Sequence, residues 1–283
     1  MAKLIKPKPF EQLKCSDNFM FAKVMEDHYL CKKVLEVLMC IKIGHLSYPE
    51  PEKTIQTAQD AKGIRLDVHT SDGRHEFDIE IQTSHYKMLP KRGRYYQGIM
   101  DVDYLLKGNT YSKLKENIVI FICLNDPFNE KLPVYTFENT CRENNSVKLE
   151  DKTLKVFYNC SQWQKAKTEE MRQLLRFLLT NKADNDLCKK LKEKEKKIKM
   201  TARAYKEYMD YCMLRQECFD SGKQEGYEQG VEDGVIKGLE QGKLDDARNM
   251  LAENDSVEKV VRCTGLPVET VRELAEQLQI TAK

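Results

Sequence analysis

The sequence predicts an α/β domain followed by an all-helical extension, and three observations carry that reading. Two runs of alternating apolar and polar residues flank Asp72-Gly73; an unbroken apolar run spans Ile118 to Leu124; and from about residue 165 onward the apolar spacing is helical only.

The elements follow in order. Residues 17–41 bring Phe21, Val24, Met25, Val34, Leu35, Leu38 and Ile41 onto helical spacing. Ser16 or Asp17 caps the start, because a short polar side chain accepts from the unpaired N–H groups of a first turn. Ile64, Leu66 and Val68 then alternate with Arg65, Asp67 and His69, and Phe77, Ile79 and Ile81 alternate with Asp78, Glu80 and Gln82. Asp72-Gly73 between them tolerates the positive φ of a tight turn, so the two runs read as a hairpin. Residues 86–106 read as a helix with Lys87, Lys91, Arg92 and Arg94 near its start; strands follow at 118–124, 133–138 and 153–159.

Three domains are expected: an α/β domain over 1–165, a helical extension over 166–243, and a small helix-turn-helix-like segment over 244–283. Within the extension, residues 182–206 hold ten Lys or Arg against four acids. Lys189, Lys190, Lys192, Lys194, Lys196, Lys197 and Lys199 make either a solvated face or a salt-sensitive attraction for DNA phosphates. Glycine then recurs every fourth residue, at Gly222, Gly226, Gly230, Gly234, Gly238 and Gly242. A four-residue step overshoots the helical turn by about 40°, which favours right-handed coiling against a partner. Each interior glycine costs about 1 kcal/mol relative to alanine. The repeat therefore predicts close packing against another chain, a homo-oligomer through the C-terminal helices, or a flexible arm. Residues 244–280 suggest three short helices, with a turn at Gly265-Leu266-Pro267. The last helix carries Glu269, Glu273 and Glu276 against Arg272, a charge balance that suits a protein partner better than a DNA groove.

Composition narrows the function classes. With 41% hydrophobic and 33% charged residues the chain has enough apolar side chains for a core, and its net charge of +2 gives no global signal for nucleic acid. The longest apolar run falls far short of the roughly 20 residues that cross a bilayer. No signal-peptide pattern opens the chain, and ten cysteines without a CxxC pair indicate reduced thiols in a cytoplasmic protein. Five histidines lie within the first 85 residues and show no zinc-ligand spacing.

The hairpin holds the candidate chemistry. A turn centred on Asp72-Gly73 sets Asp67 opposite Asp78 and Arg65 opposite Glu80, so Asp67, Asp78, Glu80 and Gln82 share one face. Like charges facing one another destabilise a sheet. A hard divalent cation offsets that repulsion, since carboxylate oxygens suit it. The ordinary alternative is a solvated polar face on a half-exposed hairpin.

Asp67, followed after a turn by Glu80-Ile81-Gln82, resembles the PD-(D/E)xK nuclease signature. More specifically, the chain is similar to the bacterial recombination-promoting nuclease/putative transposase (Rpn-like) group. The likeness rests on the segment from Ser16 to Met25, on Ile64-Arg65-Leu66-Asp67-Val68, and on Asp78-Ile79-Glu80-Ile81-Gln82. It continues through Arg92, Arg94-Tyr95-Tyr96-Gln97 and the segment from Gly108 to Leu114. The resemblance implies a PD-(D/E)xK restriction-endonuclease-like core, αβββαβ, and metal-dependent hydrolysis of double-stranded DNA in recombination or transposition. It implies Asp67 and Glu80 as ligands of Mg²⁺ or Mn²⁺; Asp78 on the same hairpin face, and Asp17 or Glu26 on the first helix, are further candidate ligands. Lys91, Arg92 and Arg94 are the implied phosphate contacts. The family usually has Lys where this chain has Gln82, which orients a water but supplies no charge. That departure leaves a second reading open, a catalytically degenerate nuclease fold acting as a DNA-binding or oligomeric scaffold.

Overall fold

The computed structural model describes residues 7–55, 64–84, 87–105 and 108–278. Where one N-terminal helix is expected there are two, α1 (Asn18–Met25) and α2 (His28–Met39). The break falls at Asp27, whose carboxylate accepts from Leu30 N–H at 3.2 Å and caps α2. Asp17 precedes α1 but makes no cap bond.

Three strands follow, β1 (Glu50–Ile55), β2 (Ile64–Ser71) and β3 (His75–Gln82); then α3 (Leu89–Tyr104), β4 (Glu116–Cys123), β5 (Val134–Phe137) and β6 (Thr153–Asn159). They form one six-stranded sheet in the order β1-β2-β3-β4-β6-β5. The β1–β2, β2–β3 and β5–β6 pairs are antiparallel, whereas β3–β4 and β4–β6 are parallel. The αβββαβ order of the expected core is present, with α3 as the crossover that a parallel β3–β4 pair requires.

The hairpin register differs from the expected one. Val68 faces Ile79, His69 faces Asp78 and Ser71 faces Glu76. The turn is thus centred on Gly73-Arg74, one residue late, because Asp72 closes it from outside. The Asp72 carboxylate accepts from the N–H groups of Arg74 (3.0 Å) and His75 (2.8 Å), while Gly73 takes φ +92°. Carried onward, this register sets Asp67 opposite Glu80 rather than Asp78. The shift is two residues, so each side chain keeps its face. The Arg65 side chain lies outside those described.

Both faces of the sheet are covered. Leu89, Tyr96, Ile99 and Met100 of α3 pack with Val119, Phe121, Cys123 and Phe157. Ile79, Ile81, Ile118, Ile120 and Ile122 are buried on the opposite face. There the Tyr158 hydroxyl donates to the Leu38 carbonyl near the end of α2. Each such apolar side chain contributes about 1.5–3 kcal/mol by leaving water.

The chain divides into two compact units, 1–211 and 212–283. The first includes α4 (Glu169–Thr180) and α5 (Asp186–Lys199), which pack with α1 and α2. Buried Glu195 on α5 accepts from Cys15 N–H at 3.0 Å and pairs with Lys199 at 2.8 Å, tying the N-terminal segment to that helix. The second unit holds most of α6 (Ala202–Ala252), with α7 (Val257–Thr264) and α8 (Val268–Gln277). Ala247, Leu251, Val260, Val271 and Leu274 form its core. The first of the three short helices expected over 244–280 is the end of α6; Gly265, at φ +68°, closes α7. The six repeated glycines lie inside α6 with nothing within 4 Å of where a Cβ would sit. Among the described residues no helix is long and apolar enough to cross a membrane.

Candidate active site

The C-terminal half of β3 and the first turns of α3 build the site. Alternation along β3 turns Asp78, Glu80 and Gln82 toward α3, and Asp67 joins them from β2. The centre of this face is not solvated, with Asp78 0% and Glu80 2% exposed, while Asp67 and Gln82 are half-buried. The β3–β4 register sets Phe121 beside Glu80, so an aromatic ring walls the carboxylates on one side. Arg92, one turn into α3, reaches down over them. Its guanidinium lies 5.2 Å from the Phe121 ring centroid and 5.3 Å from that of Tyr96, four residues on along the same helix.

The contacts form one chain. Glu80 Oε1 accepts from Asp67 N–H at 2.9 Å, and Asp67 Oδ2 accepts from Ile81 N–H at 3.2 Å. Glu80 Oε2 accepts from Arg92 Nη2, and Arg92 Nη1 reaches the Gln82 carboxamide oxygen at 3.4 Å. The Gln82 amide group donates to the Ser84 carbonyl at 3.1 Å. Asp78 differs from its neighbours: both its carboxylate oxygens are buried with no hydrogen-bond partner, as is Arg92 Nε.

The electrostatics follow from that burial. Desolvation first, and then the charges of Glu80 and Asp67, raise the Asp78 pKa well above the carboxylate range. Burial and the Asp67 charge likewise raise Glu80, against the opposing pull of Arg92. Burial works against the Arg92 charge, but Glu80, Tyr96, Asp67 and Asp78 together hold it above its ordinary value.

The other predicted residues divide. Lys91 and Arg94 are exposed on α3. Arg94 stands near Lys155, whose pKa is lowered by burial and by that neighbouring charge. Asp17 is held by Lys8 Nζ and Lys14 N–H, both at 2.6 Å, and Glu26 by Lys23 at 2.7 Å; none of these contacts leads to the β3 carboxylates. His69 stands opposite Asp78 in register but turns its Nε2 to Glu76 at 3.1 Å, and Lys115 binds the same carboxylate at 2.6 Å. Sequence reasoning missed the Tyr96–Phe121 platform; the spacing of Arg92 and Tyr96 by four residues on one helix was the available signal.

The donor set can be tested against a divalent cation. Among the described residues no three His, Cys, Asp or Glu side chains stand as a ready-made metal cage. Both Glu80 oxygens are engaged, one by Asp67 N–H and the other by Arg92. Yet Asp78 offers two buried, unpartnered oxygens beside two further carboxylates, a hard-oxygen set that suits Mg²⁺ or Mn²⁺. Burial holds Asp78 toward its neutral form, and a cation bound beside it would compensate its charge once Glu80 Oε2 is released from Arg92.

Comparison with known proteins bears on the same residues. The family described as PD-(D/E)XK nuclease family transposase matches residues 19–224, a span that includes the whole β2–β3–α3 site. No curated protein and no solved structure matches the chain.

Proposed function

We propose that this chain, which belongs to the PD-(D/E)XK nuclease family transposases, is a metal-dependent DNA endonuclease acting in recombination or transposition. The observation that carries this reading is Asp78, a carboxylate buried without a hydrogen-bond partner and within reach of the charges of Glu80 and Asp67. Asp67, Asp78 and Glu80 would hold Mg²⁺ or Mn²⁺, with double-stranded DNA as substrate. The cation, when bound, polarises the scissile phosphate and lowers the pKa of an attacking water. The chain's own groups do the rest. Gln82 orients a water through its carboxamide, and Arg92 supplies the positive charge that Gln82 lacks. Arg suits this task because its planar fork matches phosphate oxygens. Lys91 and Arg94 add backbone contacts along α3, and the ten free cysteines support a reduced, cytoplasmic setting.

Two observations favour a second reading. Gln82 replaces a catalytic cation, and the open glycine face of α6 suits close approach of a second copy. On that reading the fold is a DNA-binding or oligomeric scaffold that never cuts.

Supercoiled plasmid incubated with the purified protein in Mg²⁺, in Mn²⁺ and in chelator, beside Glu80→Gln, separates the two. Cutting that needs metal and disappears in the variant supports the nuclease. DNA binding without cutting by folded protein, in either metal, supports the scaffold.

A further inference from the structure

Arg92 is engaged in a way that a simple phosphate contact does not require. Its Nη2 occupies Glu80 Oε2, so that oxygen is not open to a cation, and its Nη1 reaches Gln82. Its side chain is 27% exposed while that of Glu80 is 3% exposed, so the guanidinium lies between the buried acids and solvent. Asp78, deeper in, has no cation of its own. The rings of Tyr96 and Phe121 lie within cation–π distance of the guanidinium, and Nε has no hydrogen-bond partner.

Resting on the nuclease reading above, we propose that Arg92 is a displaceable counter-ion: it neutralises Glu80 in the metal-free protein, and a divalent cation must move it aside. The freed guanidinium then meets the DNA phosphate from the open side of the site. Arg92 is therefore a positioning residue for the cation and a binding residue for the phosphate, and the two events are coupled through it. Metal alone must break the Arg92–Glu80 pair and leave a desolvated cation uncompensated. Metal with a phosphodiester exchanges one carboxylate partner of Arg92 for another anion. Each ligand thus raises the affinity for the other, as reciprocal linkage demands.

The test is calorimetric titration of Mn²⁺ into metal-free wild type, Arg92→Gln and Glu80→Gln, each alone and with a short DNA duplex. Without DNA, Arg92→Gln should bind Mn²⁺ roughly tenfold or more tightly than wild type, the amount by which a charge-assisted bond to Glu80 competes. With DNA, wild type should gain Mn²⁺ affinity and Arg92→Gln should gain little. A residue with a merely structural role would weaken Mn²⁺ binding on removal, and a plain phosphate contact would leave it unchanged; either result overturns the proposal. Should Arg92→Gln fail to fold, Arg92→Lys keeps the charge but removes the fork spanning Glu80 and Gln82. It should then bind Mn²⁺ more tightly than wild type, and equal or weaker binding overturns the proposal in the same way. Failure of the nuclease reading looks different: wild type and Glu80→Gln would bind Mn²⁺ alike or not at all.

Discussion

Asp67 and Glu80 are joined twice across the gap between β2 and β3: the Glu80 carboxylate accepts from Asp67 N–H at 2.9 Å, and the Asp67 carboxylate accepts from Ile81 N–H at 3.2 Å. The strand pairing reaches Val68–Ile79 before this point, so the two acids take over the backbone bonds where the ladder ends. They are structural groups as well as proposed cation ligands, and substitutions at Glu80 should separate the two roles. Glu80→Ala leaves Asp67 N–H and Arg92 Nη2 without their acceptor and should cost about 1–3 kcal/mol in urea denaturation. Glu80→Gln retains an acceptor oxygen and should cost less. Both should abolish metal-dependent cleavage, and equal stability losses would mean that the carboxylate does not hold the strands.

Asp78 predicts a pH dependence. Its pKa in the folded protein is raised by burial and by Glu80 and Asp67, so the folded state binds more protons than the unfolded one above the ordinary carboxylate range. Its contribution is fully present below about pH 4, the unfolded pKa, and is lost as pH rises toward the folded value. Asp78→Asn removes that loss. In chelator, melting temperatures at pH 5 and pH 8 should show the variant gaining on wild type at the higher pH. An identical difference at both values would contradict this.

Gln82 should matter less to metal binding than to turnover. Gln82→Ala removes one water-orienting group and should lower the cleavage rate on the order of 10²-fold. Its Mn²⁺ affinity should remain within a few-fold of wild type. A larger fall in affinity than in rate would make Gln82 a ligand instead.

Lys91 and Arg94 lie on the exposed side of α3. Replacing either with Ala should weaken DNA binding uniformly across sequences and reduce the salt slope by about one for each phosphate no longer neutralised. Mn²⁺ affinity in the absence of DNA should not change. An unaltered slope would remove both residues from the DNA path.

Much of this was legible in the sequence because hydrophobic period reports burial directly. The runs at 64–68, 77–81, 118–124 and 153–159 marked the central strands, and the shared face of Asp67, Asp78, Glu80 and Gln82 survived a register error because the error was even. The register itself was not legible. Asp72-Gly73 is the strongest turn signal, yet Asp72 acts from the flank through its carboxylate. Strand β1 escaped notice because Glu50-Pro51-Glu52-Lys53-Thr54-Ile55 has no apolar alternation. The break before α2 depends on a single cap, Asp27. Burial of the acidic face was also hidden, since polar residues alternating on a hairpin ordinarily face water. Only the packing of α3, which brings Arg92 and Tyr96 over Glu80, turns that face inward.

Whether Asp67, Asp78 and Glu80 hold one divalent cation can be seen in crystals of the protein soaked in Mn²⁺, with diffraction recorded at the manganese absorption edge. An anomalous peak is expected within coordinating distance of Asp78 and Glu80, with Arg92 moved off Glu80 Oε2. A peak elsewhere, or none with Arg92 still seated on Glu80, would refute the three-carboxylate site.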